Sequence, residues 1–137
     1  GIDALQLHGG ETAERVAAIR DRFGLPVIKA VPISSAADVT AARAFEDVAD
    51  MLLFDAKPPK DATRPGGNAE AFDWTLLAGL VWKKPWLLAG GVNAGNLEAA
   101  ARITGARLVD TSSGVEDAPG RKSIIKIKTF ILLAKSL

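Results

Sequence analysis

The chain contains no cysteine and one histidine among its 137 residues. Without cysteine it cannot build a disulfide framework, a thiolate zinc site or a thiol nucleophile from its own residues. One histidine, His8, is too few for a histidine-rich metal site. The composition therefore predicts no metal site.

Neither sign of charge is in excess, because 17 Lys and Arg against 16 Asp and Glu leave a formal net charge of +1. This balance gives no electrostatic argument for a nucleic-acid partner. The most basic stretch, residues 121–135, alternates its charges with apolar residues, as the solvated side of an amphipathic helix does. No apolar run approaches the ~20 residues that span a bilayer, and no signal-peptide pattern opens the chain. We expect no membrane partner and a cytoplasmic location.

Short apolar runs alternate along the chain with segments of 3.6-residue periodicity. The runs have the length of buried strands and lie at residues 4–8, 27–31, 51–54, 86–89 and 107–110. Helices are predicted at residues 12–23, 35–44, 70–80, 94–104 and about 122–137. Gly24 and Gly105 follow two of these helices as C-terminal caps. Ser35 with Asp38 resembles a capping box, and Asp73 is a candidate cap.

This alternation predicts right-handed βαβ units and a parallel sheet in an α/β fold. Two architectures compete, an open doubly wound sheet and part of an eight-stranded barrel. The length fits a single domain. The chemistry of the turns favours the (β/α)8 TIM-barrel architecture.

Two glycine- and serine-rich turns follow the last two predicted strands. Gly90 and Gly91 would let an oxyanion approach backbone N–H groups, and Ser112 and Ser113 add hydroxyl and backbone donors after Asp110. Turns on neighbouring strands at the carboxyl edge of a barrel commonly form a phosphate site. The alternative is a tight turn beside two capping serines. The two turns together favour phosphate.

Three polar residues end the other strands. Asp55 directly follows four apolar residues, so partial burial at the mouth of the sheet would suit it to acid–base chemistry. A loop-capping or ion-paired aspartate is the alternative. Gln6 and His8 share one strand face and could point into a ligand cavity, although a lone histidine is more often structural. The long loop at 57–69 is either a lid over a substrate or a plain connection.

Six motifs together resemble the phosphoribosylanthranilate isomerase family of tryptophan biosynthesis. They are LQLHG at 5–9, LLFD at 52–55, GGN at 66–68, FDW at 72–74, LAGGV at 88–92 and VDTSSGVE at 109–116. Indole-glycerol-phosphate synthase and the tryptophan synthase α subunit share the Gly-Gly and Ser-Gly turns but fit the first and fourth motifs poorly. The resemblance implies a single (β/α)8 barrel domain, with residues 1–137 as its C-terminal portion, covering strands four to eight and the final helix.

The resemblance also implies a reaction, an Amadori rearrangement of N-(5′-phosphoribosyl)anthranilate without metal or organic cofactor. Asp55 matches the family's general acid. Gly90, Gly91, Ser112 and Ser113 match its phosphate-binding turns, and Asp110 and Gln6 line the same cavity.

One departure from the family pattern concerns the general base. The family uses a cysteine in a Lys-Ile-Cys-Gly type motif after strand one, and an arginine on the second βα loop meets the anthranilate carboxylate. Neither is found here. Two hypotheses follow: an isomerase whose N-terminal part is missing from this sequence, cleaved or supplied by another chain, or a non-catalytic partial barrel that at most binds phosphate. We expect the chain alone to be inactive, with the missing segment or another copy as partner at its open sheet edges, and the isolated chain to be either self-associated or less stable than a closed barrel.

Overall fold

In the part of the chain that the structure describes, four strands form a parallel sheet and follow one another in sequence order. The structure, a computed structural model, describes residues 1–57 and 71–137. The strands are β1 (Leu5–Leu7), β2 (Val27–Ile33), β3 (Met51–Ala56) and β4 (Trp86–Leu88), in the order β1-β2-β3-β4. All three pairings are parallel. The sheet confirms the first four predicted strands, and β2 and β3 each run two residues further than predicted.

The first helix, α1 (Ala13–Phe23), connects β1 to β2. The side chain of Thr12 accepts a hydrogen bond from the N–H of Arg15, and Gly24 ends the helix in the left-handed conformation with φ 61°. Val16 is its buried anchor against the sheet. The predicted helix is therefore confirmed, with its N-terminal cap at Thr12 and its C-terminal glycine at Gly24.

The second helix, α2 (Ala36–Ala42), continues as a 3-10 helix over Arg43–Phe45. Ser35 caps it by accepting from the N–H of Asp38. The carboxylate of Asp38 returns to the N–H of Ser34, at 2.9 Å, one residue earlier than in the standard capping box. The predicted helix at 35–44 is therefore confirmed in position, and its last turn is 3-10 rather than α.

The two faces of the sheet are packed differently. In the larger core, strand residues on the helix-covered face, such as Val31, Phe54 and Leu88, pack with helical residues such as Val16 and Leu97. On the other face a small cluster consists of strand and strand-end residues alone: Ala30, Leu53 and Ala89, with Ile28 and Leu87. In the part of the chain that the structure describes, helices therefore cover one face. This arrangement is that of a barrel wall, whereas a doubly wound sheet carries helices on both faces.

The fifth predicted strand, residues 107–110, is reduced to a single parallel bridge between Leu88 and Val109. Leu88 N–H donates to Leu108 O at 3.0 Å, and Asp110 N–H donates to Leu88 O at 2.8 Å. Leu108 remains 42% exposed, because no described strand pairs on its outer side. The prediction of a full strand is corrected here, although the segment does extend the sheet beyond β4.

The C-terminal third differs most from prediction. Helix α3 (Leu97–Thr104) begins three residues later than predicted, because residues 93–96 form a hydrogen-bonded turn instead. An unpredicted hairpin, β5 (Glu116–Ala118) with β6 (Arg121–Lys122), turns at Gly120 with φ 76°. Its short polar strands have no apolar alternation to reveal them. Helix α4 (Ile124–Ala134) follows and confirms the final helix with shorter bounds.

The helix predicted at 70–80 is a single 3-10 turn over Trp74–Leu77, capped by Asp73 through the N–H of Thr75. The candidate lid at 57–69, with the Gly66-Gly67-Asn68 motif, lies outside the described residues except for Lys57. None of the described helices is long and apolar enough to cross a membrane.

Candidate active site

A pocket lies at the carboxyl edge of the sheet, where β3, β4 and the bridge segment end side by side. Counting the part open to solvent, it has about 280 Å³ of free space. Its lining residues are Asp55, Ala89, Gly90, Gly91, Val92, Asp110, Thr111, Ser112 and Ser113. Six of the seven predicted site residues therefore meet in one pocket. The seventh, Gln6, is exposed on β1 and is not part of the lining.

Gly90 and Gly91 form the turn after β4, with φ values of 77° and 70°. Side-chain-bearing residues rarely adopt this left-handed conformation. A Cβ added to Gly90 would also collide with the backbone nitrogen of Ala56 and lie 3.1 Å from Oδ1 of Asp55. The turn therefore requires glycine at position 90 for its conformation and for its close approach to the end of β3.

Five residues of the pocket lining have backbone N–H groups without an acceptor among the described residues. Those of Gly90, Gly91, Val92, Ser112 and Ser113 donate to no acceptor among residues 1–57 and 71–137. Buried or half-buried N–H groups are nearly always paired. A group of free donors at a strand-to-helix turn is the arrangement that accepts an anion.

Two asparagines fix the peptide between Gly91 and Val92. Asn93 and Asn96 both donate from Nδ2 to the carbonyl oxygen of Gly91, at 3.1 Å and 3.0 Å. Asn96 Oδ1 also accepts from the N–H of Asn93 at 2.8 Å. The turn is therefore held by side chains of its own C-terminal half.

The two turns of the pocket are packed directly against each other. Thr111 Oγ1 donates to the carbonyl oxygen of Val92 at 2.6 Å. A Cβ added to Gly114 would collide with that same carbonyl oxygen and lie 2.6 Å from Thr111 Oγ1. Glycine at position 114 is thus required by contact rather than by backbone conformation.

Lys122 on β6 brings a positive charge to the rim of the pocket. Its Nζ donates to Ser112 O at 2.8 Å, to Ser112 Oγ at 3.0 Å and to Glu116 Oε1 at 2.7 Å. The hairpin makes this contact possible, because it folds residue 122 back onto a turn ten residues earlier.

Asp55 is the buried carboxylate of the site, with 6% of its surface exposed. Its Oδ1 accepts from the N–H of Ala56 at 2.8 Å. His8 Nε2 lies 3.3 Å from Oδ2, but the two are not aligned as a hydrogen bond and Nε2 has no other partner among the described residues. Burial raises the pKa of Asp55, while the Ala56 N–H and the charge of His8 lower it and Asp110 raises it further. The net direction is upward, as a general acid requires.

Asp110 faces the same pocket from the neighbouring strand end. Burial raises the pKa of its carboxyl group, and the charges of His8 and Lys122 act in the opposite direction. Because Asp110 keeps more contact with solvent than Asp55, we expect Asp55 to be the better proton donor of the two.

A buried lysine fixes the loop that carries His8. Lys29, 2% exposed, donates from Nζ to Gly9 O and Glu11 Oε2, both at 2.9 Å. Glu11 also accepts from the N–H of Gly9 at 3.0 Å. Although burial raises the pKa of Glu11, the hydrogen bond and charge of Lys29 lower it overall. The ion pair holds the end of β1 beside the site.

Four of these residues were missed from the sequence. Asn93 and Asn96 are visible as a turn signal before a helix, but nothing local shows where their amides point. Lys122 belongs to a basic stretch that was interpreted as the solvated side of the last helix. Lys29 lies within the apolar run at 27–31. A charged residue inside a predicted buried strand was the one sequence signal that could have pointed to it.

Within the described part of the chain, no group of three or more His, Asp or Glu side chains could hold a metal ion. The fold and the pocket define a β/α protein of TIM-barrel type with its site at the carboxyl ends of the strands. A model of N-(5′-phosphoribosyl)anthranilate isomerase matches residues 1–132. The chain belongs to this family.

Relatives and solved structures agree with this assignment. N-(5′-phosphoribosyl)anthranilate isomerase of Paramagnetospirillum magneticum is 58% identical over 134 residues, which are 98% of this chain and 62% of that protein. The isomerase of Rhodospirillum centenum is 56% identical over 137 residues, 99% of this chain and 64% of that protein. The chain therefore spans less than two thirds of the length of these relatives.

The crystal structure of phosphoribosyl anthranilate isomerase from Thermotoga maritima superposes with a TM-score of 0.82 at 36% identity, over 99% of this chain and 63% of that one. A second solved isomerase, in complex with reduced 1-(o-carboxyphenylamino)-1-deoxyribulose 5-phosphate, has a TM-score of 0.74 at 32% identity. It is matched over 99% of this chain and 61% of that one. The sheet and its helices thus have the isomerase fold.

Proposed function

We propose that this chain carries the general acid and the phosphate site of an isomerase that converts N-(5′-phosphoribosyl)anthranilate into 1-(2-carboxyphenylamino)-1-deoxyribulose 5-phosphate in tryptophan biosynthesis. The observation that carries the proposal is the position of Asp55. A buried carboxyl group with a raised pKa lies directly beside free N–H donors suited to a phosphate. Family membership supports the same reaction, and one solved relative is in complex with a reduced form of this product.

The proposed reaction uses the two parts of the pocket in sequence. The N–H groups of Gly90, Gly91, Ser112 and Ser113 hold the 5-phosphate, which fixes the ribose relative to Asp55. Asp55 donates its proton to the ribose ring oxygen, the C1–O bond breaks and a Schiff base forms between C1 and the nitrogen. A base then removes the C2 proton, and the resulting enolamine tautomerises to the aminoketose. Asp110 carries a second carboxylate on the same side, and Gln6 is proposed at the outer margin of the cavity.

The base is proposed to come from outside this chain. We propose that residues 1–137 are the C-terminal portion of a single (β/α)8 barrel, from strand four to the final helix. Two observations support this: helices cover one face of the described sheet, and the chain matches only 61–64% of the length of its relatives. The family's cysteine would then lie in the part of the relatives that this chain does not match.

The test measures loss of substrate fluorescence with the purified chain, alone and after addition of a fragment that covers the unmatched part of a relative. We expect no turnover alone and turnover with the fragment. Asp55→Asn should abolish most of the restored rate, by about 10²–10⁴-fold. Turnover by the chain alone would overturn the assignment of the base, and His8 would be the first residue to replace.

A second candidate function is phosphate binding without catalysis. The pocket favours it because described residues of this chain supply all the N–H donors, whereas no base for the proposed acid is identified among residues 1–57 and 71–137. Restored turnover with the added fragment would exclude this candidate. Phosphate binding without any restored turnover would favour it.

A further inference from the structure

In a glycine turn that binds an anion, rotation of one peptide can turn a carbonyl oxygen, instead of an N–H group, toward the anion. The C=O and N–H bonds of a trans peptide point in opposite directions. The N–H of a residue therefore faces the pocket only while the carbonyl of the preceding residue faces away from it. Peptides next to glycine rotate easily because both halves of the conformational map are open to them. If the Gly91–Val92 peptide rotated, a carbonyl oxygen would replace an N–H donor and would repel a phosphate.

Two side chains oppose this rotation. The amides of Asn93 and Asn96 converge on the carbonyl oxygen of Gly91 at 3.1 Å and 3.0 Å. On the other side of Val92, its own carbonyl accepts from Thr111 Oγ1 at 2.6 Å. Both carbonyls that flank Val92 are therefore engaged by side chains, and the N–H groups of Gly91 and Val92 are left without a protein acceptor in the described chain.

The position of Asn96 makes this arrangement unusual. Asn96 occupies the N-cap of α3, where an asparagine side chain normally accepts from the N–H groups of the first helical turn. Its side chain makes no such capping bond. It turns back instead, donating to Gly91 and accepting from the N–H of Asn93 at 2.8 Å. By contrast, Ser35 at the N-cap of α2 does cap its helix, at 3.3 Å from Oγ to the N–H of Asp38.

We infer that Asn93 and Asn96 are positioning residues of the phosphate site, which keep the Gly91 carbonyl out of the pocket and thereby aim the Val92 N–H at the phosphate. The inference rests on the proposed function, because it assigns a means of preorganisation to the same site. Neither asparagine is among the residues that line the pocket. Their effect on the ligand is therefore indirect, through the backbone.

The experiment titrates the purified chain with inorganic phosphate and follows the backbone amide resonances of residues 90–92 and 112–113. Asn96→Ala and Asn93→Ala are compared with the unsubstituted chain. Ser35→Ala is the matched control, because it removes a side chain at another N-cap of the same fold. We expect Asn96→Ala to weaken phosphate binding about tenfold, the equivalent of one charge-assisted hydrogen bond. Asn93→Ala should weaken it less, since Asn96 still holds the carbonyl.

A readout specific to positioning is the Val92 amide resonance in the absence of phosphate. Asn96→Ala should shift and broaden it, because the peptide then samples both orientations, and Ser35→Ala should leave it unchanged. Unaltered phosphate affinity and an unaltered Val92 resonance in Asn96→Ala would overturn the inference while the proposed function stands. If phosphate moves none of these resonances in the unsubstituted chain, the phosphate site itself is wrong and the inference falls with it.

Discussion

At the scale of single residues, the site depends on a carboxyl group held under conditions that disfavour its charge. Asp55 is buried beside Asp110, and the attraction of His8 only partly offsets the burial. A raised pKa increases the protonated fraction of a carboxyl group, which suits a proton donor. The same environment makes the ionised form costly for the folded state.

Asp55→Asn should therefore stabilise the fold at neutral pH. The folded pKa of Asp55 is raised above the unfolded value of about 3.9, so the folded state retains a proton that the unfolded state releases as the pH rises between the two values. The unfolding free energy consequently falls with rising pH in this window. We expect Asn to raise the unfolding free energy by about 1 kcal/mol at pH 7, with no gain near pH 3, as measured by urea denaturation.

Asp38 provides the control of opposite sign. Burial raises the pKa of Asp38, but hydrogen bonds from Ser34 and Ser35 and the charge of Lys57 lower it overall. Its stabilising contribution is present above the unfolded pKa and is lost as the pH falls through the folded one. Asp38→Asn should thus lower stability at pH 7. A loss of stability in Asp55→Asn at pH 7 would contradict the account of Asp55.

At the scale of secondary-structure elements, the β5–β6 hairpin connects the last helix to the candidate site. It places Lys122 on Ser112, and Lys126 of α4 donates to the carbonyl of Glu116 at 2.6 Å. The hairpin therefore adds positive charge to one turn of the pocket without supplying a residue of its lining.

Lys122→Met should weaken binding of inorganic phosphate about fivefold at low salt, since an exposed charge contributes about 1 kcal/mol or less. The loss should shrink as ionic strength rises, because salt screens the interaction. Lys126→Met is the matched control, as it removes a lysine of the same region that does not contact Ser112. Equal effects of the two substitutions in a phosphate titration would show that only net charge matters.

Sequence patterns predicted the elements whose determinants are local. Apolar runs located β1 to β4, and Thr12 with Gly24 marked the bounds of α1. The segment at 107–110 was overestimated, because pairing on its outer side depends on neighbours that a local pattern does not contain. The hairpin was missed, since its two strands are only three and two residues long and, apart from Ala118, consist of charged residues with no strand period.

The residues of the candidate site could be predicted from the sequence where they follow strands, because the carboxyl ends of parallel strands meet at one edge of the sheet. This rule brought Asp55, Gly90, Gly91, Asp110, Ser112 and Ser113 together. Gln6 lies on β1, the outermost strand of the described sheet, and outside the lining of this pocket, so its place in the cavity stays a prediction. Contacts between distant side chains, such as Lys29 with Glu11 and His8 with Asp55, have no signature in the sequence.

At the scale of the whole molecule, the described sheet has an open edge at β1 and an apolar outer surface on α4. β1 pairs on one side only, and Ile124, Ile125 and Leu132 are 72%, 77% and 70% exposed. Unpaired strand edges and contiguous apolar surface both favour association.

We expect the purified chain to self-associate, with a sedimentation coefficient that rises with concentration. Ile125→Lys combined with Leu132→Lys should reduce the association by placing charge on the apolar surface. Ala41→Lys, at another exposed helical position, is the control. A compact monomer that unfolds cooperatively at every concentration would contradict this expectation.

The contact between Gly90 and the end of β3 has a consequence for how such an enzyme can change. The candidate phosphate turn and the proposed proton donor share one wall, since an added Cβ at position 90 would collide with the backbone of Ala56 beside the carboxylate of Asp55. A mutation that reshapes the grip on the phosphate therefore also displaces the acid. Mutations in this wall would change phosphate affinity and catalytic rate together. We therefore expect adaptation to a new substrate to occur through residues at the outer rim of the site.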